Sequence, residues 1–412
     1  MHRIEEHKTV PQRPEALPQR VAGAKVGFVH NMATHYRIKV FEAFARMCDA
    51  EFYFYSDGGE WYWQKSHGVA PKTGFVHRTL RGFWWGRTRV TPGLLPALLF
   101  GGYNVFIKCV NGRFALPATF AAARLRRAPF ILWTGIWCRL QTPFHRLLFP
   151  ITRFIYQHSD AVVVYGEHVK RYLISEGVAE ERIFLAPQAV DNSLYRRTPS
   201  AAEVEALRAK HNLPADRKIV LYLGRLEEIK GLPDLLQAFA QLDRTDAILV
   251  FGGSGSQEEK LRALAAERGV LDRVRFTGHV SQAEAPVLYG ISWVTVLPSV
   301  TLPAGRELWG LVVNEAFNQG VPVIATDAVG AAAGGLVRNG RNGLIVPERD
   351  PSALRDAIET VLANPELRNR LGRAAARDVV SFTQEGMAAG LRDAVAYVMT
   401  AKTAKKEKVS RG

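Results

Sequence analysis

Glu307 and Glu315 stand eight positions apart in a stretch that reads R-E-L-W-G-L-V-V-N-E-A-F-N-Q-G-V-P-V-I-A-T-D over residues 306–327. Ionised carboxylates are strong, acceptor-only groups, which suits them to the hydroxyls of a sugar. Between them lie Gly310, with no side chain to block approach, and Leu311 and Val312, which open an apolar pattern of helical spacing. The first N–H groups of a helix have no partner inside it. Beside a side-chain-free turn they suit a phosphate. The stretch has the chemistry to hold a molecule that carries both hydroxyls and phosphate.

The elements that must position these groups follow from the apolar runs. Residues 311–318 have helical spacing, and Gly320 is placed to stop that helix. Residues 321–326 read as a buried strand. Another strand starts at Lys218 and runs into Gly224, followed by Arg225, Lys230 and a helix from about Pro233. Residues 247–252 enter the glycine turn of Gly253 and Gly255, and residues 274–280 end in Gly278 and His279. A strand at 292–299 and helices at 351–363 and 365–380 complete the second half. The first half alternates too, with strands at 24–30, 51–55, 103–110, 129–134 and 161–164. Its helices fall at 37–47, 117–127 and 167–176. Such alternation implies parallel sheets with helices on both faces, an α/β protein whose sites lie outside the carboxyl ends of the strands. At 412 residues there is room for two domains.

The 307–326 stretch resembles the E-x7-E signature of retaining GT-B glycosyltransferases of the family 4 type. That signature runs roughly E-x-F/W-G-L-x-x-x-E-A, then G-x-P-V-I-A-T/S. Gly224-Arg225-Leu226 with Lys230-Gly231 resembles the family's G-R-L-x-x-x-K-G, and residues 247–255 its L-x-I-x-G-x-G turn. Residues 183–191 resemble its domain-closing segment, with Gln188 and Ala189 where relatives carry Asn and Gly. The resemblance covers about residues 183–350. It implies two Rossmann-like, doubly wound parallel-sheet domains facing across a cleft. It also implies that Arg225 and Lys230 hold a donor's diphosphate, with backbone N–H groups of Gly310, Leu311 and Val312. Glu315 would accept from ribose hydroxyls and Glu307 would bind the donor sugar. Fixed cations lower the barrier as a leaving diphosphate gains charge, without proton transfer. Gly224, Gly253, Gly278 and His279 complete the implied donor set.

Many relatives carry a glycine-rich loop after the first strand and a sugar-facing His after the strand at 129–133. Here those positions read His30-Asn-Met-Ala-Thr-His-Tyr-Arg37 and Leu132-Trp-Thr-Gly-Ile-Trp137. Asn31, His35, Arg37, Thr134 and Trp137 are the acceptor-side candidates.

Charge is uneven. Residues 1–200 hold 27 Lys and Arg against 14 Asp and Glu, a net of +13, whereas the remainder holds 27 against 25, a net of +2. Residues 61–159 contain no acidic residue, 14 Lys or Arg, and six of the eight tryptophans. Basic and Trp-rich composition without a spanning segment suits a surface lying against anionic lipid. Arg81, Trp84, Trp85, Arg87 and Arg89 form its densest part, and residues 144–156 are a second cationic and apolar candidate. Nucleic acid would also answer to basic-aromatic composition, but no recognised nucleic-acid motif is present. Three scattered cysteines without a C-x-x-C argue for a reducing compartment and against a structural metal.

The expected organisation is a disordered tail at 1–23, an acceptor-binding, membrane-facing domain at 24–199, a nucleotide-sugar domain at 200–384, a helix at about 385–400 returning to the first domain, and a basic tail at 401–412. The expected activity is retaining transfer of a hexose from a nucleotide-diphosphate sugar to a lipid-linked, glycolipid or polysaccharide acceptor, with no metal or other cofactor. The expected setting is cytoplasmic, peripheral on the inner membrane face, in cell-envelope or exopolysaccharide assembly. A GT-B-fold epimerase or phosphorylase, or a lipid-binding scaffold with a degenerate donor site, are the alternatives.

Overall fold

A computed structural model describes residues 20–56 and 74–410. Trp61, Trp63 and most of the expected amino-terminal tail lie outside them.

The first lobe carries β1 (Lys25–His30), β2 (Asp49–Phe54) and β3 (His77–Thr79), then a separate antiparallel hairpin of β4 (Phe83–Trp85) and β5 (Thr88–Val90). β6 (Val105–Cys109), β7 (Phe130–Thr134), β8 (Ala161–Val164) and β9 (Ile183–Leu185) follow. Seven of these strands form one parallel sheet in the order β3-β2-β1-β6-β7-β8-β9. β6, β7 and β8 are buried along their whole length because helices cover both faces. The second lobe carries β10 (Lys218–Leu223), β11 (Ala247–Gly252), β12 (Val274–Gly278), β13 (Val294–Leu297), β14 (Val323–Thr326) and β15 (Gly343–Val346). Its parallel order is β12-β11-β10-β13-β14-β15. In each sheet the winding reverses beside the first strand, β1 or β10, which opens a crevice at that strand's carboxyl end. The arrangement is that of a GT-B fold.

The chain leaves the first core at Ala186 and enters the second at Val190 and Tyr195, ahead of the boundary expected near residue 200. The helix Ala201–His211 follows and starts in a capping box between Ser200 and Glu203. The final helix spans Gln384–Ser410, running well past 400 where the basic composition suggested a disordered tail. Met387, Leu391, Ala394, Val395 and Val398 from it join the core that also holds β1 and β2, packing on the helix His35–Met47 and on β8 and β9. Gly390 lies so close to β9 that a Cβ there would sit 2.1 Å from the Leu185 carbonyl oxygen. Among the described residues no helix is long and apolar enough to cross a membrane.

Candidate active site

The site is built first from backbone. β10 ends in Gly224, and the loop after it is bonded to the loop after β11: Gly224 N donates to Gly252 O at 2.9 Å and Leu226 N to Ser254 O at 3.0 Å. Gly253 sits at φ +124°, and a Cβ on it would fall 1.9 Å from the Gly224 carbonyl oxygen. Glycine at 253 is what lets these two loops touch. Gly253 N in turn donates to Gly278 O at 2.7 Å, so three of the glycines singled out above form one backbone floor. His279, next to it, is exposed. The buried Tyr222 hydroxyl donates to Arg225 O at 2.6 Å and fixes the turn from which the exposed Arg225 side chain departs.

Lys230 ends a short 3₁₀ turn and is ion-paired to Glu307, both side chains being mostly buried. Ser299 Oγ donates to the same Glu307 oxygen at 3.3 Å. Burial pushes the Glu307 carboxyl up, but Lys230, Ser299 and Arg225 together overturn that and hold it below the ordinary carboxylate range. The helix Leu311–Asn318 begins immediately beyond. Its N-cap, Gly310, has φ +94° and no side chain to bond the free N–H groups, and no acidic residue occupies the first turn. A Cβ at Gly310 would lie 2.5 Å from Leu297 Cδ2. One turn into this helix, Glu315 accepts from the Tyr289 hydroxyl at 2.8 Å, with Tyr195 beside it. Burial raises the Glu315 carboxyl, and the two tyrosines oppose the shift without cancelling it.

The first lobe grips the Glu307 loop from the other side. Trp137 Nε1 donates to Glu307 O at 3.0 Å, Gln141 N donates to Pro303 O at 2.7 Å, and the Arg306 guanidinium lies over the Trp137 ring at 4.7 Å. His168 Nε2 donates to Leu308 O at 3.4 Å, with its ring between Trp137 and Trp309. Burial pulls the His168 imidazole down to about 4, so it is neutral at neutral pH. Sequence reading missed His168, Tyr195 and Tyr289, whose partners lie far away in the chain.

The acceptor-side candidates divide. Trp137 stands at the junction of the lobes. Thr134 is buried and accepts from Ile136 N at 3.1 Å. Asn31 follows β1 in the crevice, and its Oδ1 is buried without a hydrogen-bond partner. His35 is exposed, packed edge-on against Tyr36. Arg37 is buried among Trp133, Tyr165 and Met387, where it ties the first helix to the last and presents little of itself to the cleft. Beside β1, Lys108 is fully buried and donates to the carbonyls of Cys109 at 2.6 Å and Asn111 at 2.7 Å. Nothing in the run Val105–Cys109 marks this lysine beforehand, since it sits where a buried strand would carry an apolar residue.

Residues 203–378 match the profile of the family described as Glycosyl transferases group 1. The match falls within the second lobe and covers less than half of the chain. Over 245 residues the chain is 35% identical to D-inositol 3-phosphate glycosyltransferase of Acidothermus cellulolyticus, covering 55% of this chain and 51% of that one. It is 31% identical over 243 residues to alpha-D-kanosaminyltransferase of Streptomyces kanamyceticus, covering 57% and 60%. The chain thus spans about half the length of the curated relatives it matches. The likeness to Anabaena HepE, solved in complex with UDP-glucose, extends over both lobes: TM-score 0.69, 19% identity, 91% of this chain and 99% of that one. The matched residues contain the glycine floor, Arg225, Lys230 and both glutamates.

Proposed function

We infer that the chain is a retaining, metal-independent glycosyltransferase that moves a hexose from a nucleoside-diphosphate sugar to a lipid-linked or glycolipid acceptor at the inner face of the cell membrane. The observation that carries the reading is the Lys230–Glu307 pair set against the uncapped amino end of the helix Leu311–Asn318, with Arg225 near enough to act on the same carboxylate. The names of the curated relatives, and the UDP-glucose held by the structural neighbour, support a nucleotide-sugar donor.

In this reading Arg225, Lys230 and the N–H groups at 310–312 hold the diphosphate, Glu307 holds sugar hydroxyls, and Glu315 holds the ribose. The bond from the anomeric carbon to the diphosphate oxygen breaks as negative charge gathers where the cations stand. The acceptor hydroxyl oxygen bonds to the anomeric carbon on the same face, and its proton passes to the departing phosphate oxygen. A carboxylate nucleophile opposite an acid, as retaining glycosidases use, has no candidate in residues 61–159, which lack any acidic side chain. The exposed Trp85 of the hairpin, with Arg81 and Arg87 close by in sequence, supports the membrane setting.

Isothermal titration with UDP, GDP and ADP tests the donor site, and binding of none overturns it. Release of nucleoside diphosphate only when an acceptor lipid extract is present supports transfer. Release that ignores the acceptor favours an epimerase or phosphorylase.

A further inference from the structure

A cavity of about 700 Å³ opens beside the junction of the lobes and is distinct from the donor site. It falls within the roughly 300–1,000 Å³ of small-molecule sites. Its wall is mainly apolar, from Leu116 and Pro117 on one side to Phe144, Leu148 and Ile155 on the other. Leu308, the neighbour of Glu307, lines it as well. Arg87, Arg89 and Arg113 also line it, and among the described residues no carboxylate does. Arg113 lies over the Phe144 ring at 3.6 Å, and Arg89 donates to Tyr55 O at 2.7 Å. Arg89 and Arg113 are therefore held in place at an apolar wall.

The apolar surface does not stop at the cavity. Ile151 lines it and is also 55% exposed. Leu147 and Phe154, four before and three after it on the helix Pro143–His158, are 76% and 50% exposed. Those spacings place the three on one face. Trp84 of the hairpin lines the cavity, while its neighbour Trp85 is 76% exposed. An apolar path thus runs from the residue beside Glu307, past fixed arginines, to an exposed apolar stripe. A buried lysine, Lys108, stands behind Tyr55 and Asn111, which also line the cavity.

We propose that this cavity is a binding site for a phosphate-bearing lipid: a segment of hydrocarbon lies along Leu116, Phe144, Leu148 and Ile151, and the phosphate meets Arg87, Arg89 and Arg113. The proposal rests on the lipid-acceptor reading above and adds where and by what chemistry that acceptor is held. Charge complementarity selects an anionic lipid, because arginines lining the cavity favour an anionic head over a neutral or cationic one. An acceptor seated there has its hydrocarbon leaving toward the exposed stripe and its sugar end toward Glu307.

The test uses the full chain and dodecyl phosphate below its micelle threshold, followed by isothermal titration without nucleotide. The wild type should bind it at least tenfold more tightly than dodecyl maltoside, and inorganic phosphate should not displace it. Leu148→Trp, which fills the cavity, should weaken dodecyl phosphate at least tenfold while leaving UDP titration and binding to anionic vesicles unchanged. Dodecyl phosphate binding that survives Leu148→Trp, or that inorganic phosphate displaces, overturns the proposal. Should that variant fail to fold, a diazirine-bearing alkyl phosphate on the wild type decides. Labelling within residues 113–117 or 143–156 upholds the site, and labelling confined elsewhere overturns it. Dodecyl phosphate binding in a protein that binds none of UDP, GDP and ADP would sink the transferase reading and leave the cavity standing.

Discussion

Lys230 and Glu307, 77 positions apart, pair with each other in the cleft wall. Removing one partner of a mostly buried pair leaves an uncompensated charge. Lys230→Ala should therefore destabilise the second lobe by about 3 kcal/mol, and adding Glu307→Gln should restore part of that loss. Urea denaturation of the single and double variants measures this. Strictly additive losses would mean the two charges do not sense each other.

Glu315→Ala removes charged hydrogen bonds of about 1.5–3 kcal/mol, so donor use should fall on the order of 10- to 100-fold. Because burial raises the Glu315 carboxyl, the fold favours its protonated form. That contribution is present below the unfolded pKa and lost as pH rises through the folded one. Glu315→Gln should then melt no lower than wild type at pH 7 while binding donor more weakly. A lower melting temperature with unaltered donor affinity would contradict both halves.

Gly310→Ala introduces a Cβ 2.5 Å from Leu297 Cδ2 at a positive φ. It should cost on the order of 1–3 kcal/mol and weaken nucleoside-diphosphate binding, since the helix start must shift. Thermal melts and titration read the two effects. Wild-type values in both would show that the turn tolerates a side chain.

His168 makes the lobe junction sensitive to acid. Its imidazole is held at about 4 against an ordinary 6.5, so unfolding takes up a proton between those values. The stability it contributes is complete above pH 6.5, drains away as pH falls toward 4, and amounts to at most about 3 kcal/mol. His168→Phe should flatten the dependence of melting temperature on pH in that window. An unchanged slope would place the acid sensitivity elsewhere.

Arg87→Ala should weaken binding to vesicles containing anionic lipid by roughly fivefold at low salt, the worth of about 1 kcal/mol per surface cation. The difference should shrink in high salt. Cosedimentation with vesicles measures it, and equal binding at every salt concentration would remove this arginine from the lipid surface.

The second lobe was legible because β10 and β11 are apolar runs of six residues that lead into glycines that geometry demands. Gly310 and Gly253 announce close contacts that no other residue could make. The first lobe was less so. β3, β4 and β5 span three residues each, too few to show a period. The helix Pro143–His158, with Pro150 inside it, read only as a cationic and apolar stretch at 144–156. The helix Ala201–His211 had a visible start, Ser200 with Glu203 three positions on, that its Pro- and charge-rich surroundings obscured. Arg37, an acceptor-side candidate at the start of the helix expected at 37–47, is packed against the distant Met387 and Trp133. Glu307 and Glu315 were found from spacing, but their partners, Lys230, Tyr195 and Tyr289, come together only through the fold.

The helix Gln384–Ser410 finishes a core begun by the first strands. As the polypeptide emerges from a ribosome, the helix His35–Met47, β8 and β9 leave uncovered the apolar surface that this last helix packs on until its own residues have been made. The second lobe, whose core draws on residues 190–379, can close first. Assembly order thus runs opposite to synthesis order, and the early segment is the one in need of protection from aggregation during translation.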